Sequence, residues 1–164
     1  MGYSGSGTLN VLNGGVVSDV RNCAECSAAV VGYSAGVNAG VAVSGSGSSW
    51  NNTGVVNVGY IGNGTLAISS GGQVSTQGLV VGSLAYGTLS IASGGQLSNT
   101  VASASIGDVA GSHGAVTVSD AGSVWTNAPE LVVGNAGNGT LTIQNGGIVN
   151  GSNAVLGVGS GSSG

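Results

Sequence analysis

Short apolar segments return along the whole chain at nearly constant intervals, and within each segment apolar residues alternate with small polar ones. One motif has the form Gly-Thr-Leu-x-Ile-x-x-Gly-Gly-x-Val and is clearest at residues 64–74. The other copies, two of them altered, lie at residues 7–17, 41–50, 87–97, 116–125 and 139–149. Alternation over four or five residues that are rich in Val, Ile and Thr predicts β-strands.

A second apolar segment follows each copy and ends in glycine, as at residues 79–82. The six terminal glycines are Gly32, Gly59, Gly82, Gly107, Gly134 and Gly157. They are 27, 23, 25, 27 and 23 residues apart, a period typical of solenoids. Glycine recurs too often for helices, because each glycine inside a helix costs about 1 kcal/mol relative to alanine.

These patterns predict an all-β protein, a right-handed parallel β-helix with about six turns of 23–27 residues and three short strands per turn. Residues 1–164 form a single β-solenoid domain. Its repeats are expected near residues 5–32, 37–59, 62–82, 85–107, 112–134 and 137–159. Because the sequence begins and stops within the pattern, we expect it to be a fragment of a longer protein.

The alternation also predicts which side chains face the interior. The first strand of each turn supplies two inward columns, Leu9, Val41, Leu66, Leu89, Val116 and Leu141, and Val11, Val43, Ile68, Ile91, Val118 and Ile143. The second strand supplies Val17, Ser49, Val74, Leu97, Val124 and Val149, and the third supplies Val31, Val58, Val81, Ile106, Val133 and Leu156. A glycine column is expected at corners with positive φ or no room for a Cβ: Gly15, Gly47, Gly72, Gly95, Gly122 and Gly147.

The amino-acid composition limits the classes of partner that we expect. The chain has 35 glycines, one Lys or Arg, five Asp or Glu and a formal net charge of −4, yet 41% of its residues are hydrophobic. One basic residue cannot neutralise phosphates, so neither nucleic acid nor an anionic membrane surface is an expected partner. No apolar run is long enough for a spanning helix, so no direct membrane insertion is expected, and the N-terminus lacks a signal-peptide pattern.

The Gly-Thr-Leu-x-Ile copies, the Gly-Ser-x-Trp variants and the Leu-Val-Val-Gly segments together resemble the repeat of autotransporter (type V secretion) passengers and of some PEP-CTERM-associated proteins. The resemblance covers residues 5–159. It implies a secreted or outer-membrane, cell-surface passenger domain, commonly an adhesin or biofilm stalk. It implies no catalytic residues, and the signal peptide and the translocating barrel would lie outside this chain.

Few residues could carry chemistry, and we predict no catalytic, cofactor-binding or metal-binding residues. Cys23 and Cys26 lie in the longest predicted loop, where they either form a small disulfide or remain two free thiols. Trp50 and Trp125 share a repeat position aligned with Ser18, Ser75, Ser98 and Asn150. They either contact a ligand from the surface or cover the next corner of the solenoid.

His113 is predicted to be a turn residue, since no nucleophile accompanies it and Asp108 and Asp120 are expected on different faces. The expected function is therefore a non-catalytic structural or adhesive segment that meets host or matrix glycans or surface proteins. A glycan- or ice-binding solenoid is the alternative, and a polysaccharide-degrading β-helix enzyme ranks lower. Open strand edges at both ends predict end-to-end self-association.

Overall fold

The computed structural model describes residues 1–19 and 27–164, including all of their side chains except those of residues 27 and 28. Within these residues, eighteen strands form three sheets of six. Sheet A contains β1 (Gly7–Leu12), β4 (Asn38–Ser44), β7 (Asn63–Ser69), β10 (Tyr86–Ile91), β13 (His113–Ser119) and β16 (Asn138–Gln144). Sheet B contains β2 (Val16–Asp19), β5 (Ser49–Asn52), β8 (Gln73–Thr76), β11 (Gln96–Asn99), β14 (Val124–Asn127) and β17 (Ile148–Gly151). Sheet C contains β3 (Ser27–Val31), β6 (Val55–Val58), β9 (Gly78–Val81), β12 (Ala104–Ile106), β15 (Leu131–Val133) and β18 (Ala154–Leu156).

Within each sheet, neighbouring strands are parallel and three positions apart in chain order, so three consecutive strands make one coil and the coils stack. This arrangement confirms the predicted β-solenoid with three strands per turn. No helix occurs in the part of the chain that the structure describes. Accordingly, within residues 1–19 and 27–164 there is no helix long and apolar enough to cross a membrane.

The interior is one continuous column of apolar side chains. Both predicted columns of sheet A and the predicted column of sheet C are confirmed by the strand register. Their middle members are almost fully buried, as at Leu66, Ile91 and Ile106. Sheet C adds a second inward column, Ala29, Val56, Leu79, Ala104, Leu131 and Ala154.

Sheet B departs from prediction in the two altered copies. Trp50 pairs with Val17 and Val74, and Trp125 pairs with Leu97 and Val149, so both indoles occupy the inward column. Ser49 and Val124, expected inside, lie outside in line with Gln73 and Gln96. The turn before each of these strands is one residue longer than in the regular copies, and a one-residue shift moves every side chain of a strand to the other face.

The corner glycines fall into two structural classes. At Gly72 and Gly95 φ is not positive, but a Cβ would lie closer than 3.0 Å to backbone atoms of the preceding coil. Gly47 and Gly122 instead have φ of 80° and 85°. They stack against Gly14 and Gly94, which precede the corner in regular coils, so the predicted single column combines two positions.

The two ends of the stack leave the interior uncovered. At the carboxyl end Ile143 and Leu156 are 49% and 63% exposed, although they continue columns that are buried in earlier coils. At the amino end Leu9 and Val17 are only partly buried. Both ends therefore present apolar side chains beside strands whose outer edges are largely unpaired among the described residues, apart from hydrogen bonds of Met1 with Val30 and Gly32 and a bridge between Asn138 and Ser163.

Candidate functional site

The two tryptophans do not form a surface site. Trp50 is 2% exposed and Trp125 is completely buried, so neither indole can contact a ligand from the surface, which was one of the two alternatives that the sequence left open. The Trp125 indole Nε1–H donates to Oδ1 of Asn99 at 2.8 Å, and the Asn99 amide donates in turn to Oδ1 of Asn127. The Trp125 indole and both polar atoms of the Asn99 side chain are thereby hydrogen-bonded inside the core, which explains how an indole is accommodated there. Among the described residues, Nδ2 of Asn127 and the side-chain amide of Asn52 are buried without a partner.

The buried asparagines belong to an inward polar column that the sequence prediction missed. It contains Asp19, Asn52, Thr76, Asn99, Asn127 and Gly151 at the end of sheet B. Thr76 satisfies its hydroxyl by donating to Gly54 O at 2.6 Å, with Gly78 O 2.9 Å away. The sequence does contain a signal for this column, because Asn or Thr stands two positions after an inward residue of the second strand in four coils. These inward residues are Trp50, Val74, Leu97 and Trp125.

The predicted cysteine pair, Cys23 and Cys26, lies outside the described residues. Among the residues that are described, no three His, Cys, Asp or Glu side chains gather closely enough to hold a metal ion.

His113 and the acidic residues occupy separate parts of the coil. The His113 ring stacks on Tyr86 with centroids 4.7 Å apart, and the amide of Asn138 is 3.4 Å from its Nδ1. The Asp108 carboxylate accepts hydrogen bonds from Ser105 and Asn135, at the corner between sheets C and A. The Asp120 carboxylate accepts from Ser93, at the corner between sheets A and B. Each of these carboxylates therefore has its own neutral partners, as surface turn residues commonly do.

An apolar ridge, defined by Tyr3, Tyr33, Tyr60, Ile61, Leu84, Tyr86 and Val109, runs along the corner between sheets C and A. Tyr3 stacks on Tyr33 at 5.0 Å, and Tyr33 lies 5.8 Å from Tyr60. Most members of the ridge are exposed. The Tyr3 and Tyr33 rings are stacked, whereas the Tyr33 and Tyr60 rings are tilted by 42° to one another, so aromatic contacts run along this corner from Tyr3 to Tyr60.

The outer surface of sheet B carries two parallel rows of uncharged side chains. The first row is Val16, Ser49, Gln73, Gln96, Val124 and Ile148, and the second is Ser18, Asn51, Ser75, Ser98, Thr126 and Asn150. A shallow groove of about 160 Å³ lies between the rows and is lined by side chains of both. Val74 and Leu97 form its floor, with their side chains turned into the core. We call this feature the sheet B groove.

The outer surface of sheet A carries smaller side chains. One outward column is Thr8, Gly40, Thr65, Thr88, Ala115 and Thr140, and the next is Asn10, Ala42, Ala67, Ser90, Thr117 and Thr142. Gly40 and Ala115 interrupt the threonine column, so the hydroxyls do not form an unbroken row.

These features define a β-solenoid with a tightly packed core, uncharged sheet faces and one apolar corner. No protein-family model, curated protein or solved structure matches the chain.

Proposed function

We propose that this chain is a non-catalytic structural segment of a bacterial secreted or cell-surface protein, and that it acts as a stiff spacer with an adhesive face. The observation that carries the proposal is the unbroken stacking of three six-stranded sheets on one apolar core. In such a stack each coil contacts mainly its neighbours, so length is gained by adding coils without a new fold.

The packing suits an exposed environment. Backbone hydrogen bonds join successive coils along all three sheets and continue through the corners, as from Gly82 N to Val58 O and from Gly107 N to Val81 O, each at 2.8 Å. Proteases require an extended backbone that can detach from its neighbours, and a ladder paired on both sides opposes that opening. The resemblance to autotransporter and PEP-CTERM-associated repeats supports the same assignment.

The location can be tested with an antibody against residues 27–164. On intact cells of the source organism, or in their culture medium, we expect the epitope to be accessible before lysis. We also expect the purified chain to yield a protease-resistant fragment covering most of the stacked coils. An epitope that is detected only after lysis would contradict the surface assignment, and rapid complete digestion would contradict the spacer role.

Ice binding is a second candidate, supported by the threonine-bearing outer face of sheet A. The interruptions at Gly40 and Ala115 weaken this candidate, because an ordered array of hydroxyls is lost in two of the six coils. Thermal hysteresis of the purified chain tests it directly. Gly40→Thr with Ala115→Thr would complete the column and should raise any hysteresis, whereas no hysteresis in either protein would dismiss this function.

A further inference from the structure

We propose that the sheet B groove binds a neutral, extended polysaccharide lying along the solenoid axis. This inference rests on the proposed adhesive role and names the surface and the ligand class that would serve it.

The outer face of sheet B carries no charge. None of the twelve outward side chains that form the two rows of sheet B is ionisable. The described acids lie elsewhere, Asp19 in the inward column and Asp108, Asp120 and Glu130 at corners or loops. An anionic glycan or an acidic peptide would lose hydration here without gaining an ion pair, which is unfavourable. A neutral ligand loses no charge hydration.

Hydrogen-bonding capacity is the second argument. Gln73 and Gln96 stand side by side in register and both are exposed. Among the described contacts, neither side-chain amide is used within the protein, so both keep two donors and one acceptor available for a ligand. On the opposite side of the groove Ser98 and Thr126 add hydroxyls. Amides facing hydroxyls can both donate to and accept from sugar hydroxyl groups.

The distance between successive coils is close to the repeat of an extended polysaccharide. The rungs of paired strands repeat at ~4.8 Å, close to the rise of one sugar in an extended β-1,4-linked chain. The two rows stand at alternate residues of the strand, with Cα atoms about 7 Å apart, so a sugar chain lying along the axis would contact side chains of both rows. Each sugar would then meet one coil and lie over the strand backbone at Val74 and Leu97, whose side chains face the core.

The test uses two double variants in the same two coils. Gln73→Ala with Gln96→Ala removes the amides from the groove, whereas Thr65→Ala with Thr88→Ala removes two exposed hydroxyls from sheet A. All four positions are exposed, so circular dichroism and thermal unfolding should show both variants folded. The probes are cellohexaose and chitohexaose, with maltohexaose as a neutral coiled control and hexagalacturonate as an anionic control, measured by isothermal titration calorimetry.

We expect the chain to bind at least one of the two extended probes more tightly than both controls. The glutamine variant should weaken that binding about tenfold, since two hydrogen bonds are lost, and the threonine variant should leave it unchanged. No binding to either extended probe, equal binding to a control, or binding that survives loss of both glutamines would overturn the inference. None of these outcomes bears on the surface location or the protease resistance, which test the proposed function separately.

Discussion

Three glycine-to-alanine changes should have different effects on stability, although each adds the same methyl group. Gly82 has a φ of 74°, and a Cβ there would lie closer than 3.0 Å to backbone atoms of His113 and Gly114 in the next coil. Gly111 has a φ of 84° but open space around its Cβ position. Gly40 has neither constraint. The series therefore separates backbone conformation from close stacking between coils.

The magnitudes follow from these two terms. Alanine at Gly40 should stabilise by about 0.5–1 kcal/mol, because glycine in a strand loses more conformational entropy on folding. Alanine at Gly111 should cost about 1 kcal/mol for the left-handed conformation. Alanine at Gly82 has the same conformational cost and must also displace backbone atoms of the next coil. The free energy of unfolding should therefore fall by about 3 kcal/mol in total. For a chain of this length, the unfolding temperature should rise by about 2 °C for Gly40→Ala. It should fall by about 3 °C for Gly111→Ala and by about 9 °C for Gly82→Ala.

Thermal unfolding followed by circular dichroism and by tryptophan fluorescence measures these shifts. Trp50 and Trp125 lie on opposite sides of Gly82 along the stack, so the fluorescence also reports whether the coils unfold together or in parts. Equal losses for Gly82→Ala and Gly111→Ala would refute the close approach of successive coils. A loss for Gly40→Ala would refute the open outward position in sheet A.

Three further outcomes are expected. Trp125→Phe should cost about 1–3 kcal/mol in chemical denaturation, because Asn99 loses its buried donor, and a neutral result would mean that this network does not stabilise the core. Ser123→Ala should cost about 1 kcal/mol in the same assay, since the Ser123 hydroxyl accepts from Gly94 N at 3.0 Å, and an unchanged midpoint would contradict that role. The 164-residue chain should associate end to end, so its sedimentation coefficient should rise with concentration, and Ile143→Lys should suppress the rise; a concentration-independent monomer would show that the open ends do not pair.

Much of the fold could be predicted from the sequence because the repeat is strict where the core is formed. The same apolar residue types recur 23 positions apart in two successive coils, Leu66 with Leu89 and Ile68 with Ile91. The structure pairs these residues in that register. A β-branched or leucine side chain at every second residue leaves one way to bury the strand. The exposed groove on sheet B had no such signal, since Gln and Ser on an outward face satisfy themselves with water and are typical of any strand surface.

The errors at Trp50 and Trp125 show what fixes a strand's register in this fold. Trp50 follows Val43 by seven positions and Trp125 follows Val118 by seven, whereas Val74 follows Ile68 by six. An alignment of the copies on their glycines therefore places both indoles outside. The longer turn keeps its hydrogen bond, from Ser123 N to Asp120 O in place of Gly95 N to Ala92 O. Burying an indole gains far more free energy than burying the valine or serine that would replace it. The register is therefore decided by burial of the indole and by the hydrogen bond from Trp125 to Asn99 in the preceding coil. The longer turn accommodates the extra residue.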